Sequence, residues 1–153
     1  MKKIFILIAV VIILFVGAVV WSRSLESHSD NPILATTGIH WHPRLTIIVR
    51  GEVQTLRAGI GIGSQYASNR LFDGTMGMTS MHTHDDASEG IIHLEFSEIV
   101  RRNDVMLGQF LTIWGKDINS FGSNVKMTVN GVSNTELGNY SMKDGDKIEL
   151  RYE

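Results

Sequence analysis

From residue 39 to residue 50, apolar and polar side chains alternate with period two. Ile39, Trp41, Pro43, Leu45, Ile47 and Val49 fall on one face, and His40, His42, Arg44, Thr46, Ile48 and Arg50 on the other. Such alternation is the signature of a half-buried strand. The pattern returns at residues 90–96, where Ile92, Leu94 and Phe96 oppose Ile91, His93 and Glu95. It returns again at Val125, Met127 and Val129, and at Ile148, Leu150 and Tyr152. Arg50-Gly51-Glu52 reads as a turn into a second strand at 53–58, Asn130-Gly131 as a type I′ hairpin turn, and Asp144-Gly145 as the lead into the last strand. One helix is expected: Asp104 as its cap, Leu107, Phe110, Leu111 and Trp114 along one face, Gly115 at its end. A hairpin, a helix and two further strands make an α+β domain, mostly antiparallel β-sheet with one short helix, in a β-grasp-like order. Residues 59–80, with five Gly, read as a long loop or insertion.

A different constraint governs the amino end. Residues 4–21 carry no charge and are dominated by Ile, Val, Leu and Phe. As a helix this run is about 27 Å long, close to the hydrocarbon thickness of a bilayer. Lys2 and Lys3 place the amino terminus in the cytoplasm, and Trp21 suits the far interface. The expected organisation is an N-terminal transmembrane anchor at 1–21, a polar linker at 22–37 in which His28 is solvated, and a single extracytoplasmic domain at 38–153. A cleaved signal peptide is the alternative. Its apolar region is usually shorter, and Val19-Val20-Trp21-Ser22 is a poor cleavage site. Either way the domain is exported, and with the anchor retained the chain is expected at the cell membrane as a single-pass protein.

Residues 31–153 suffice for one core and not two. They hold 11 Lys+Arg against 14 Asp+Glu, with no basic run, which argues against nucleic acid as a partner. The chain has no Cys, so a disulfide framework, a thiolate nucleophile, an iron–sulfur cluster and a blue-copper site are all excluded.

Five of the six histidines fall in three groups: His40-Trp41-His42, His82-Thr83-His84, and His93 two residues before Glu95. Residues i and i+2 of a strand project from one face about 6–7 Å apart, within reach of one ion. In the first and third groups the imidazoles lie opposite the core-bearing face, where a merely structural histidine is not expected. Neutral imidazole ligates Zn, Cu, Ni and Fe, and a carboxylate can complete the shell or orient a ring. The candidate metal ligands are therefore His40, His42, His82, His84, His93 and Glu95, with Asp85, Asp86 and Glu89 as further carboxylates. Met76, Met78 and Met81 precede the second pair; thioether sulfur favours Cu(I) and imidazole suits Cu(II), which puts copper narrowly ahead of zinc. The same methionines could simply fill gaps beneath a loop, and Trp41 alternates with core residues.

Taken together, His40-Trp41-His42-Pro43, His82-Thr83-His84-Asp85, Gly90-Ile91-Ile92-His93-Leu94-Glu95, Trp114-Gly115 and Asp144-Gly145-Asp146 form a pattern over residues 39–152. In it the chain resembles a family of small, exported or membrane-tethered, His-rich bacterial and archaeal proteins. The resemblance implies a shared site and no particular reaction. His82-Thr83-His84-Asp85-Asp86 is similar to the metal motif of metallo-β-lactamase-like hydrolases, but Ala87 stands where that motif has His, and the domain is too short. The spacing of His82, His84 and Glu89 is similar to a cupin motif, but His93 follows too closely. Gly59-Ile60-Gly61-Ile62-Gly63 opens no convincing helix and does not read as a phosphate loop. The expected function is a membrane-anchored metal-binding protein for copper acquisition, buffering or delivery. The alternatives are a mononuclear oxidase or hydrolase using three of the histidines, and a tethered interaction domain without metal.

Overall fold

A helix of 26 residues, α1 (Lys2–Ser27), begins the chain. The computed structural model describes residues 2–27 and 31–153, and within the first segment it describes side chains only for Ile4, Ile8 and residues 10–22. His28 and the side chains of Lys2 and Lys3 lie outside the described residues. The chain divides into two compact units, Met1–Pro32 and Ile33–Glu153. In the first, Ile12, Leu14, Phe15 and Trp21 are exposed. Among the described residues no helix is long and apolar enough to cross a membrane, so the expected transmembrane span finds no support there.

The second unit contains twelve short strands and one further helix. In chain order they are β1 (Ile33–Ala35), β2 (Ile39–Trp41), β3 (Arg44–Val49), β4 (Glu52–Gln54), β5 (Phe72–Asp73), β6 (Met78–Thr79) and β7 (Met81–His82). They continue with β8 (His93–Phe96), β9 (Val100–Arg101), helix α2 (Leu107–Ile113), β10 (Val125–Val129), β11 (Val132–Asn134) and β12 (Lys147–Tyr152). A five-stranded sheet has the order β11-β10-β12-β3-β4, and a three-stranded sheet the order β2-β8-β7. β1 pairs with β9, and β5 with β6.

The larger sheet is antiparallel except at its centre, where β12 runs parallel to β3 with Leu150 beside Ile47. Within this sheet the first strand, β3, and the last, β12, lie side by side, β3 flanked by its hairpin partner β4 and β12 by the β10–β11 hairpin, as in a β-grasp-like order. Both hairpins turn on two residues with positive φ: Arg50 (φ 50°) and Gly51 (φ 88°), and Asn130 (φ 53°) and Gly131 (φ 81°). This is the type I′ geometry whose twist matches the flanking strands. Leu45, Ile47, Ile148 and Leu150 share one core with Phe110 and Leu111 of α2, Ile92, Leu94 of β8 and Met81 of β7. Trp41 and Trp114 pack against that core, as their alternation and helical spacing imply.

Three expectations about the strands and the helix are corrected. The single strand expected over residues 39–50 is two strands in different sheets, because Pro43 lacks the N–H that would continue a ladder. Its carbonyl instead accepts from Ile92 N–H at 3.0 Å. The second strand is only β4 and stops before Leu56, which turns into the core. Asp104 does not cap α2: its carboxylate accepts from Arg101 N–H at 2.8 Å and so closes a separate 3-10 turn over Arg102–Val105. The extended backbone at Met106 then lets α2 start afresh. At the other end Gly115 (φ 75°) and the bond from Lys116 N–H to the Leu111 carbonyl form a Schellman motif. The segment expected as a polar linker over 22–37 contains the end of α1 and the whole of β1.

Candidate metal centre

The small sheet assembles the site through its register. β2 runs antiparallel to β8 with His40 opposite Glu95, and β7 runs antiparallel to β8 with His82 opposite His93. Directly opposed residues share a face, and so do His93 and Glu95, two apart on one strand. His42 and His84 follow their strands two residues after His40 and His82. Five histidines and one glutamate from three distant parts of the chain thus converge, and all six expected ligands are brought together.

His82 Nε2 and His84 Nε2 lie 3.1 Å apart. Metal–nitrogen bonds of about 2.0–2.1 Å place tetrahedral nitrogens roughly 3.3 Å apart, so this hydrogen-bonded pair is already close to the spacing of two ligands on one ion. Glu95 Oε1 lies 4.0 Å from His82 Nε2, 3.8 Å from His93 Nδ1 and 3.1 Å from His40 Nε2. Two triads can each hold a metal ion, His82–His84–His93 and His40–His42–His93, the donor atoms of each lying within 4.8 Å of one another. His93 belongs to both.

Neighbouring groups orient the rings. His82 Nδ1–H donates to the Thr79 carbonyl at 2.8 Å, which leaves the Nε2 lone pair facing His84. His93 Nε2 lies 3.0 Å from Asp86 Oδ2 and donates to it, which leaves Nδ1 facing Glu95. A histidine whose second nitrogen is held by a carboxylate or carbonyl is the usual form of a metal-bound imidazole. His82 is fully buried, and burial pushes its pKa below the usual imidazole value. The Thr79 hydrogen bond and the Glu95 charge oppose that shift, while His84 and His93 add to it. Its lone pair is therefore kept available for a cation.

The remaining carboxylates separate by role. Asp86 orients His93, whereas Glu89 is drawn to Arg44, 3.4 Å away, and Asp85 opens the 3-10 turn Asp85–Glu89. Two contributors escaped the sequence reading. The Thr79 carbonyl is a backbone group with no side-chain signature. Asp144 accepts the backbone N–H of His42 at 2.8 Å from a turn 102 residues away. The methionines separate: Met81 is wholly in the core, whereas Met76 is largely exposed and lines a groove of about 240 Å³ with His40, Asp73, Glu95 and Phe96.

The glycine-rich segment also proves to serve the site. Gly59 N–H donates to the Thr83 carbonyl, Thr83 N–H to Ile60 and Thr79 N–H to Gly61, at 2.8–3.0 Å. The segment therefore backs β7 and the chain just before it, which carry His82 and the carbonyl that orients it. Gly alternating with Ile was the available signal, since glycine inside an apolar alternation marks a close backbone approach. Comparison with family models, curated proteins and solved structures finds no match, so the functional reading rests on this geometry.

Proposed function

We propose that the chain is a membrane-anchored, extracytoplasmic binding protein for a transition-metal ion, copper ahead of zinc, acting in acquisition, buffering or delivery. The 3.1 Å approach of His82 Nε2 to His84 Nε2, with His93 and Glu95 closing around it, carries this reading. The donors are nitrogen and oxygen only. For such sites affinity rises along the first-row divalent ions to a maximum at Cu²⁺, which keeps copper first without sulfur ligands. The anchoring rests on the apolar residues 4–21 within the 26-residue α1.

The test is metal content after copper, zinc, nickel and iron are offered in competition to untagged protein. We expect about one copper per chain, absent from the His82→Ala/His84→Ala double variant. A protein that stays metal-free under all four ions overturns the reading. Anchoring is tested separately by alkaline carbonate extraction of membranes, which should leave the chain in the pellet; release into the supernatant refutes it. The groove beside His40 and Glu95 favours a second reading, a metalloenzyme with an open coordination position. Azide that perturbs the spectrum of the copper form would support that reading, and an unchanged spectrum would indicate a closed site.

A further inference from the structure

The two histidine triads differ in access. The side chains of His40 and His42 are 65 % and 43 % exposed, His93 is 13 % exposed, and His82 is fully buried. Exposure therefore falls from the outer pair through the shared histidine to His82, while His84 keeps the second triad partly open to solvent. Glu95 stands between them, its Oε1 3.1 Å from His40 Nε2 and 4.0 Å from His82 Nε2.

His93 decides how the triads can be used. Asp86 engages its Nε2, so it has one lone pair, on Nδ1, and one lone pair serves one ion at a time. Two complete triads cannot be filled together. Resting on the metal-binding reading above, we propose that the triads are successive positions of a single ion. His40 and His42 capture it from solvent, and it passes to His82 and His84 while His93 and Glu95 remain in reach of both positions. At each stage an incoming imidazole replaces an outgoing one, so the ion is never stripped of its ligands at once. No redox change is involved. The same path run backwards would present the ion to an acceptor at the exposed pair, which is what buffering or delivery needs.

The probe is Cu(II) alone, mixed with the full chain in detergent and followed by stopped-flow tryptophan quenching, with stoichiometry and affinity measured at equilibrium. The wild type should bind one ion in two phases, a fast one that scales with copper concentration and a slower one that does not. His40→Ala/His42→Ala, at exposed positions outside the core, should lose the fast phase and load slower by about tenfold or more. It should still bind one ion, with a smaller loss of affinity than the inner variant shows. His82→Ala/His84→Ala should keep the fast phase and lose the slow one, holding copper weakly. Two ions per wild-type chain, or unaltered loading by the outer variant, overturns the proposal while leaving metal binding intact. So does an outer variant that loses as much affinity as the inner one, since the five histidines would then form one composite site. A wild type that takes up no copper refutes the parent reading, and this one with it.

Discussion

An imidazole without water around it resists protonation, and His82 is in that position. Its pKa lies below the ordinary value of about 6.5 that the unfolded chain has, chiefly because of burial. Below that value the unfolded state takes up the proton first. The stability due to burying neutral His82 is therefore complete above about pH 6.5 and is lost as pH falls through the lower folded value. His82→Ala removes this dependence and strands the Thr79 carbonyl, at a cost of about 1–3 kcal/mol. In thermal melts of metal-free protein, the advantage of wild type over His82→Ala should shrink from about pH 7.5 to about pH 5. A gap that stays constant or widens contradicts the assignment. Asp86 acts one step further out. Asp86→Ala frees His93 to rotate and exchange tautomers, and should weaken metal binding by about 10–100-fold while the metal-free melting temperature barely moves. An affinity equal to wild type would mean that the 3.0 Å contact does not orient the ring.

At the scale of elements, what could be read from the sequence was local. Period-two alternation marked β3, β8, β10 and β12, and Asn130-Gly131 marked its hairpin, because both signals sit within a few residues. The register setting His40 against Glu95 and His82 against His93 joins residues 55 and 11 positions apart, and nothing in either segment alone specifies it. The grouping of the histidines was therefore legible, whereas the register that gathers them into two triads was not. The break at Pro43 was concealed for a similar reason: an uninterrupted alternation does not say that its two halves join different sheets. Gly61 shows how an apparently loose segment is tied to the site. Its φ is +79°, and a Cβ there would meet the Met81 carbonyl at 2.6 Å and the His82 Cβ at 3.1 Å. Gly61→Ala should cost at least about 2 kcal/mol through left-handed strain and the push against β7. It should also weaken metal binding, because the displaced backbone carries His82. Normal affinity in a destabilised variant would show that the strain is absorbed elsewhere.

Across the whole molecule, the core is an apolar cluster that joins both larger sheets to α2, and of the five site histidines only His82 is fully buried. Metal should therefore add to the stability of a domain that is already folded, unlike small zinc domains that are unfolded without their ion. With free copper at about 100 times its dissociation constant the native state gains about 2.7 kcal/mol, provided the unfolded chain binds little. For a unit the size of Ile33–Glu153 this corresponds to a rise in melting temperature of roughly 10 °C. Chelation should reverse the rise and leave far-ultraviolet circular dichroism unchanged, and His82→Ala/His84→Ala should show no rise. If chelation instead abolished the secondary structure, the ion would be a structural element of the fold, and a carrier obliged to surrender it would unfold each time. A core that stands without the ion would let the ion be cargo, and the melting curve with and without chelator tests this directly.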